Sequence, residues 1–139
     1  MSAQTTVATT EDDTIAAGRV LGATLPAGAT VLLYGDLGAG KTAFVRGLAQ
    51  GLGVDPGEVS SPTFTIVQEY RGRALTLQHV DLYRLSPAGV ADLALDDLLD
   101  PSSVMAIEWA ERLPREPGSP LILVTMAHHP AGRAITIDG

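Results

Sequence analysis

The chain has 139 residues, of which 45% are hydrophobic, and its net charge is -7 at neutral pH. This length accommodates one domain of ordinary size, and we predict a single domain over residues 1–139. The acidic balance disfavours tight direct binding to nucleic acid, because such affinity depends largely on Lys and Arg neutralising phosphates. No apolar run approaches the roughly 20 residues of a membrane helix, no secretory signal is recognisable and cysteine is absent, so we expect a cytoplasmic protein without disulfides.

The N-terminal half is predicted to contain a helix, a buried strand and a second helix. Thr10 is the expected N-cap of the first helix, since an acid follows three residues later. The residues expected on the buried face of this helix are Ala17, Val20, Leu21 and Leu25. Residues 31–34 form an uninterrupted apolar run, which is typical of a strand buried on both faces. Good helix formers predict a second helix over residues 41–52.

The C-terminal half is predicted to contain mainly strands. Residues 64–70 and 74–81 flank the turn Arg71-Gly72-Arg73, and we expect them to pair as an antiparallel hairpin. Ser86 followed by Pro87 predicts a helix start, and this helix is expected to run to about residue 99. Short apolar runs predict three further strands, over residues 104–107, 121–126 and 134–137.

A glycine-rich segment lies between the buried strand and the second helix. Its sequence, Gly35-Asp36-Leu37-Gly38-Ala39-Gly40-Lys41-Thr42, fits the phosphate-loop pattern G-x-x-x-x-G-K-[ST] at every fixed position. Such a loop directs backbone N–H groups and a helix N-terminus at phosphates. We expect Lys41, the only lysine, to reach the β- and γ-phosphates and the Thr42 hydroxyl to coordinate magnesium. The predicted nucleotide-binding residues are Gly35, Asp36, Leu37, Gly38, Ala39, Gly40, Lys41, Thr42 and Ala43.

This motif in this setting predicts an α/β fold, namely the P-loop NTPase three-layer sandwich with a mostly parallel central sheet plus an antiparallel hairpin. A magnesium nucleotide site usually needs a carboxylate at the end of a neighbouring strand, and Asp81 and Glu108 are the candidates. The run before Glu108 is fully apolar and indicates a central strand, whereas the run before Asp81 alternates and suggests a half-exposed strand. We therefore predict that Glu108 holds magnesium and that Asp81 orients or deprotonates the attacking water.

Other residues near these motifs have two interpretations each. Thr63, in a proline-constrained loop, is either a catalytic switch residue that senses the γ-phosphate or an ordinary loop threonine. Trp109 could line the site, although a single tryptophan beside a buried strand is more often packed in the core. The histidines have no metal-ligand partners at useful spacing, and none is assigned a role: His79, His128 and His129.

Several blocks occur in an order that is specific to one family. They are Gly35-Asp36-Leu37-Gly38-Ala39-Gly40-Lys41-Thr42, Ser61-Pro62-Thr63-Phe64, His79-Val80-Asp81-Leu82-Tyr83-Arg84 and Ile107-Glu108-Trp109. In these blocks the chain resembles the bacterial TsaE family, the ATPases of tRNA threonylcarbamoyladenosine biosynthesis, formerly called YjeE. The phosphate loop is common to many families, so the Ser-Pro-Thr-Phe and Asp-Leu-Tyr-Arg blocks make the resemblance specific.

The resemblance implies an ATP-binding protein with weak ATPase activity of its own. Family members act with the TsaD and TsaB proteins, which install threonylcarbamoyl on the adenosine beside the anticodon of tRNAs reading codons that begin with A. Thr42 and Glu108 would hold magnesium, Asp81 would be needed for hydrolysis, and the segment at Thr10 would lie near the adenine. Contact with tRNA would be indirect, through the complex.

Three other functions also use a phosphate loop or a bound nucleotide. A GTPase normally recognises guanine through an Asn-Lys-x-Asp box, and the chain contains no asparagine. A small-molecule kinase needs an acceptor pocket and usually an arginine-bearing lid, for which little sequence remains after Glu108. A nonhydrolytic regulator, in which ATP orders residues 61–64 so that a partner docks, stays open.

Overall fold

In the computed structural model the described residues are 3–36, 40–55, 67–83, 85–91, 95, 101–114, 117 and 120–139. The strands are β1 (Gln4–Ala8), β2 (Thr30–Gly35), β3 (Val67–Arg71), β4 (Thr76–Asp81), β5 (Ser103–Glu108), β6 (Leu121–His129) and β7 (Gly132–Asp138). The helices are α1 (Glu11–Gly22), α2 (Lys41–Gly51), α3 (Pro87–Ala91) and a 3-10 helix (Ala110–Arg112). None of the described helices is long and apolar enough to cross a membrane.

All of these strands belong to one sheet, in the order β1-β7-β6-β2-β5-β4-β3. The central strands β6, β2, β5 and β4 are mutually parallel, and β3, β7 and β1 are added antiparallel at the two sides. This arrangement confirms the predicted α/β fold with a mostly parallel centre and an antiparallel hairpin. Because β2, β5 and β4 are parallel neighbours, their carboxyl ends lie side by side at one edge.

The two faces of the sheet are covered by different helices. On one face, Phe44 and Leu48 of α2 pack in a buried cluster with alternate residues of the central strands. On the other face, Val90 of α3 and Ala110 of the 3-10 helix pack against the remaining strand residues. Every residue of β5 is buried, as its unbroken apolar run predicts for a central strand.

The start of α1 agrees with the prediction, and its predicted buried face differs from the structure at Val20. Thr10 is the N-cap: its hydroxyl accepts a hydrogen bond from the Asp13 N–H, and the Asp13 carboxylate accepts one from the Thr10 N–H.

The predicted apolar face of α1 is wrong at Val20, which is 68% exposed. The buried residues of the helix are instead small ones, Thr14, Gly18 and Gly22, while Ala17 and Leu21 are partly buried and Leu25 is buried.

Small residues bring the backbones of α1 and α2 into contact. A Cβ atom on Gly18 would lie 2.2 Å from the Phe44 carbonyl oxygen, and one on Gly47 would lie 2.0 Å from the Ile15 carbonyl oxygen. Both distances are far shorter than a van der Waals contact, so only glycine fits at these two positions. Gly51 belongs to the same contact, since a Cβ there would lie 2.4 Å from the Arg19 carbonyl oxygen, and Gly53 with its positive φ follows the helix end.

The predicted hairpin is confirmed, since β3 and β4 pair antiparallel from Val67 opposite Val80 to Arg71 opposite Thr76. The expectation that β4 is half-exposed is wrong, because residues 77–80 are all buried. Ser86 accepts a hydrogen bond from the Gly89 N–H and starts α3 as predicted. Of the rest of that predicted helix, only residue 95 is described. The switch candidate Thr63 and residues 64–66 of the predicted strand lie outside the described residues.

Candidate functional site

Lys41 is the first residue of α2, and the loop geometry turns it inward. Its predecessor Gly40 has a φ of 98°, a left-handed conformation that glycine adopts without strain. The Lys41 Nζ donates a hydrogen bond to the Gly35 carbonyl oxygen at 2.5 Å and lies 3.4 Å from the centroid of the Trp109 ring. The N-cap of α2 is Gly40, which has no side chain to cap the helix, and an uncapped helix N-terminus suits the binding of an anion.

Lys41 is 4% exposed as a residue, and several acids act on its ammonium. Burial lowers its pKa below the ordinary value, because the charged form loses hydration. Four carboxylates oppose this fall in pKa: Glu111, Glu108, Asp81 and Asp36. The ammonium is therefore an incompletely solvated cation, which favours binding of an anion with high negative charge.

Trp109 has an unusual backbone at the end of β5. Its φ of 60° and ψ of 44° are left-handed, a conformation that costs a bulky residue of the order of 1–3 kcal/mol and persists where its surroundings enforce it. The ring packs on Tyr83, with centroids 4.8 Å apart, and presents a face to Lys41. Trp109 therefore lines the site while its remaining surface packs against the core cluster, so both interpretations of this residue apply.

Thr42 and Glu108 come together beside the phosphate loop. The Thr42 Oγ1 is 3.3 Å from Glu108 Oε1 and 3.4 Å from Oε2, and Glu108 is 3% exposed. Magnesium binds oxygens at 2.0–2.1 Å with octahedral geometry, so neighbouring ligand oxygens lie about 3 Å apart. The spacing of this hydroxyl and this carboxylate fits two adjacent ligands of one magnesium ion.

Within the described ranges, no group of three or more His, Cys, Asp or Glu side chains is arranged to hold a metal by itself. Magnesium does not require such a group, because it keeps several waters and binds through one or two protein ligands plus phosphate oxygens. The pair formed by Thr42 and Glu108 is thus a sufficient protein contribution to a magnesium nucleotide site.

Asp81 ends β4 directly opposite Glu108 at the end of β5. Burial raises the pKa of its carboxyl above the ordinary value, and the nearby Glu108 charge adds to the rise. The hydrogen bond that Asp81 Oδ1 accepts from the Tyr83 N–H, at 2.9 Å, acts against it. A carboxyl with a raised pKa is better suited to accept a proton near neutral pH.

His79 is a site residue that sequence reasoning missed. The side chain is fully buried, and its Nε2 lies 2.5 Å from Glu108 Oε2. Its position two residues before Asp81 could have identified it, because alternate residues of a strand lie on the same face of the sheet. His128 and His129 are exposed at the end of β6, where no role was predicted.

The remaining predicted nucleotide-binding residues are only partly placed. Gly35, Asp36 and Ala43 flank the loop, whereas Leu37, Gly38 and Ala39 lie outside the described residues. The Thr10 hydroxyl serves the α1 cap, one helical turn before Thr14. The Thr14 methyl would lie 3.7 Å from a Cβ on Gly40, so the first turns of α1 lie beside the loop.

The chain is similar to several known proteins. A family model described as "Threonylcarbamoyl adenosine biosynthesis protein TsaE" matches residues 8–135. The tRNA threonylcarbamoyladenosine biosynthesis protein TsaE of Synechocystis is 49% identical over 104 residues, which cover 72% of this chain and 66% of the relative. The protein of the same name from Treponema pallidum is 45% identical over 111 residues, which cover 79% of this chain and 81% of the relative.

A solved structure is also similar. The crystal structure of Bacillus subtilis YdiB matches with a TM-score of 0.71 and 32% identity, over 98% of this chain and 83% of that chain. The family model covers most of the sequence, including both strand-end acids and the phosphate loop. The chain therefore belongs to the TsaE family.

Proposed function

We propose that this chain binds ATP with magnesium and hydrolyses it slowly, in support of tRNA threonylcarbamoyladenosine biosynthesis. The relatives carry that biosynthetic role in their names. In this scheme the chain works with the TsaD and TsaB proteins, which transfer the threonylcarbamoyl group, and it meets tRNA only through them. The net charge of -7 supports such a division, because an acidic protein binds phosphate backbones poorly.

The observation that carries the proposal is the convergence of four side chains at one edge of the sheet. Lys41 and Thr42 begin α2, while Asp81 and Glu108 end adjacent parallel strands in register. Phosphoryl transfer to water requires a cation for the phosphates, oxygen ligands for a metal and a group that positions the water. Lys41 supplies the cation, and Thr42 and Glu108 supply the oxygen ligands. Asp81 supplies the group that positions the water.

Nucleotide binding in this scheme changes the partners of Lys41. Its ammonium now contacts the Gly35 carbonyl and the Trp109 ring. Charged phosphate oxygens are stronger partners for an ammonium than a neutral carbonyl is. The β- and γ-phosphates therefore draw Nζ into the loop, where the N-terminus of α2 adds its N–H groups.

Asp81 acts on the attacking water. As the water oxygen forms its bond to the γ-phosphorus, the bond to the β-phosphate oxygen breaks, ADP leaves and Asp81 accepts the water proton. Its raised pKa increases its basicity, although the carboxylate must still be ionised to act. Thr42 and Glu108 would hold magnesium, which would supply positive charge to offset that of the phosphates. Thr63 is proposed to sense the γ-phosphate, and the Thr10 segment to adjoin the adenine.

The test compares Asp81→Asn with the unmodified protein in the presence of TsaD, TsaB, tRNA, ATP and magnesium. Asparagine keeps the size of the side chain and an acceptor for the Tyr83 N–H, but it is no longer a base. We expect near-normal ATP binding, roughly 10²- to 10⁴-fold slower release of inorganic phosphate and loss of multiple-turnover tRNA modification. Asp138→Asn, at the exposed last residue of β7, is the control for the lost charge.

Three outcomes would change the assignment. Undiminished phosphate release by Asp81→Asn would refute its role as the base. Full multiple-turnover modification without hydrolysis would favour the nonhydrolytic regulator. Transfer of phosphate to a nucleoside or another small acceptor would favour the kinase.

A further inference from the structure

His79 is buried against the carboxylate that the proposed function assigns to magnesium. Its side chain has no exposed surface, and its Nε2 lies 2.5 Å from Glu108 Oε2. An ionised carboxylate can only accept, so the hydrogen bond requires the proton on Nε2. The imidazole therefore contributes one directed donor to Glu108.

The other ring nitrogen makes no such contact. His79 Nδ1 is buried and has no hydrogen-bond partner among the described residues. A proton on Nδ1 would be a buried donor without an acceptor there, which costs more than an unprotonated nitrogen in the same place. The surroundings thus favour the tautomer in which Nε2–H donates to Glu108 and Nδ1 is bare.

Thr42 alone does not fix the orientation of the Glu108 carboxylate. Its hydroxyl lies almost equally far from the two carboxylate oxygens, at 3.3 and 3.4 Å. The much shorter contact from His79 distinguishes the two oxygens, because it engages Oε2 and not Oε1, which lies 3.3 Å from the Thr42 hydroxyl. His79 is paired with Ala106 across the parallel strands. Because the alanine side chain is small, the imidazole has room to extend along β5 to Glu108.

We propose that His79 is a positioning residue for magnesium, which holds Glu108 Oε2 so that Oε1 is presented beside the Thr42 hydroxyl. The inference rests on the proposed magnesium nucleotide site and adds a residue to which the sequence assigned no function. His79 would not touch nucleotide or metal. It would lower the magnesium concentration needed for ATP binding by fixing one ligand before the ion arrives.

The experiment measures ATP binding at a fixed ATP concentration while magnesium is titrated, and again in excess chelator. His79→Asn and His79→Gln form a matched pair, because a glutamine amide reaches approximately the place of Nε2 and an asparagine amide does not. We expect the magnesium midpoint to rise roughly 10- to 100-fold in His79→Asn and to stay close to the unmodified value in His79→Gln. Binding without magnesium should be the same in all three proteins. His128→Asn, at an exposed histidine, is the control.

Each outcome has one meaning. Equal magnesium midpoints in the two variants and the unmodified protein would overturn the positioning role. An equal loss of binding with and without magnesium would also overturn it, because that pattern indicates a purely structural histidine. Should His79→Asn fail to fold, as judged by thermal melting, a midpoint raised in His79→Gln would likewise contradict the proposal. If the unmodified protein binds ATP without any magnesium dependence, the proposed function fails and takes this inference with it.

Discussion

The α1–α2 contact and the carboxyl ends of β4 and β5 are both tightly buried, but they are built in opposite ways. At the closest points of the helix contact the residues have no side chains, and Gly18 and Gly47 bring two backbones together. At the strand ends, buried polar side chains are concentrated, with His79 and Glu108 almost without exposed surface. Burying charged and polar groups costs free energy unless they are well paired. The closely packed helices thus belong to a scaffold that supports a site whose buried polar and charged side chains are costly to fold.

The largest effect is expected at the strand ends, from Glu108→Gln. The amide keeps an acceptor for His79 but loses the charge that attracts magnesium, so we expect magnesium-dependent ATP affinity to fall more than about tenfold, or 1.4 kcal/mol. Calorimetry at saturating and zero magnesium measures the change. An unchanged affinity at saturating magnesium would refute the ligand role of Glu108.

On the scaffold side, Gly47→Ala should destabilise the fold. The added methyl would meet the Ile15 carbonyl oxygen at 2.0 Å, and forcing the helices apart costs about 1–3 kcal/mol. Urea denaturation measures the loss. Gly89→Ala in α3 is the matched control, because its Cβ would lie at an ordinary 3.4 Å from a flexible Leu85 side chain. Equal stability of Gly47→Ala and the unmodified protein would show that the helix contact is not as tight as described.

A smaller effect on the scaffold is expected from Thr10→Ala. The hydroxyl that accepts from the Asp13 N–H is removed, and such N-cap losses cost about 1 kcal/mol. Thr10→Ser should retain most of the stability because serine caps helices as well. If alanine and serine variants melt at the same temperature, the cap contributes nothing measurable.

The smallest effect, and the one of opposite sign, is expected from Asp81→Asn in the absence of nucleotide. Since folding raises the pKa of Asp81, the folded state binds more protons than the unfolded state between the ordinary value of 3.8 and the raised value. Stability therefore falls as pH rises through that window. Asp81→Asn removes this penalty, so it should melt slightly higher than the unmodified protein at neutral pH, with the difference vanishing below pH 3.8. A lower melting temperature at neutral pH would contradict this interpretation.

Local sequence patterns predict part of this molecule, and contacts between strands and helices determine the rest. The phosphate loop, α2 and the central position of β5 depend on local patterns, and the structure agrees with them where it describes them. The burial of β4 was mispredicted because Gln78 and His79 look like solvent-facing residues. Both are buried against carboxylates of neighbouring strands: Gln78 donates to Glu69 of β3 at 2.7 Å, and His79 contacts Glu108 of β5.

Two other errors have the same non-local origin. Val20 was placed on the buried face of α1 by helical periodicity, but the glycines of the α1–α2 contact determine which side of the helix is covered. β1 was not predicted at all, because residues 4–7 are exposed and its backbone hydrogen bonds come from β7. Within the site, the roles of Asp81 and Glu108 stay predictions, while their proximity is a property of parallel strand register.

The pairing of β1 with β7 has a consequence for the order of folding. Thr5 and Thr136 face each other across this pair, although 131 positions separate them along the chain. Contacts of such separation close a very long loop, and their formation is slow relative to that of local contacts. The edge of the sheet at β1 should therefore form late, after the parallel centre that contains the phosphate loop. In pulse-labelled hydrogen exchange, the amides of β1 would acquire protection after those of β2 and β5.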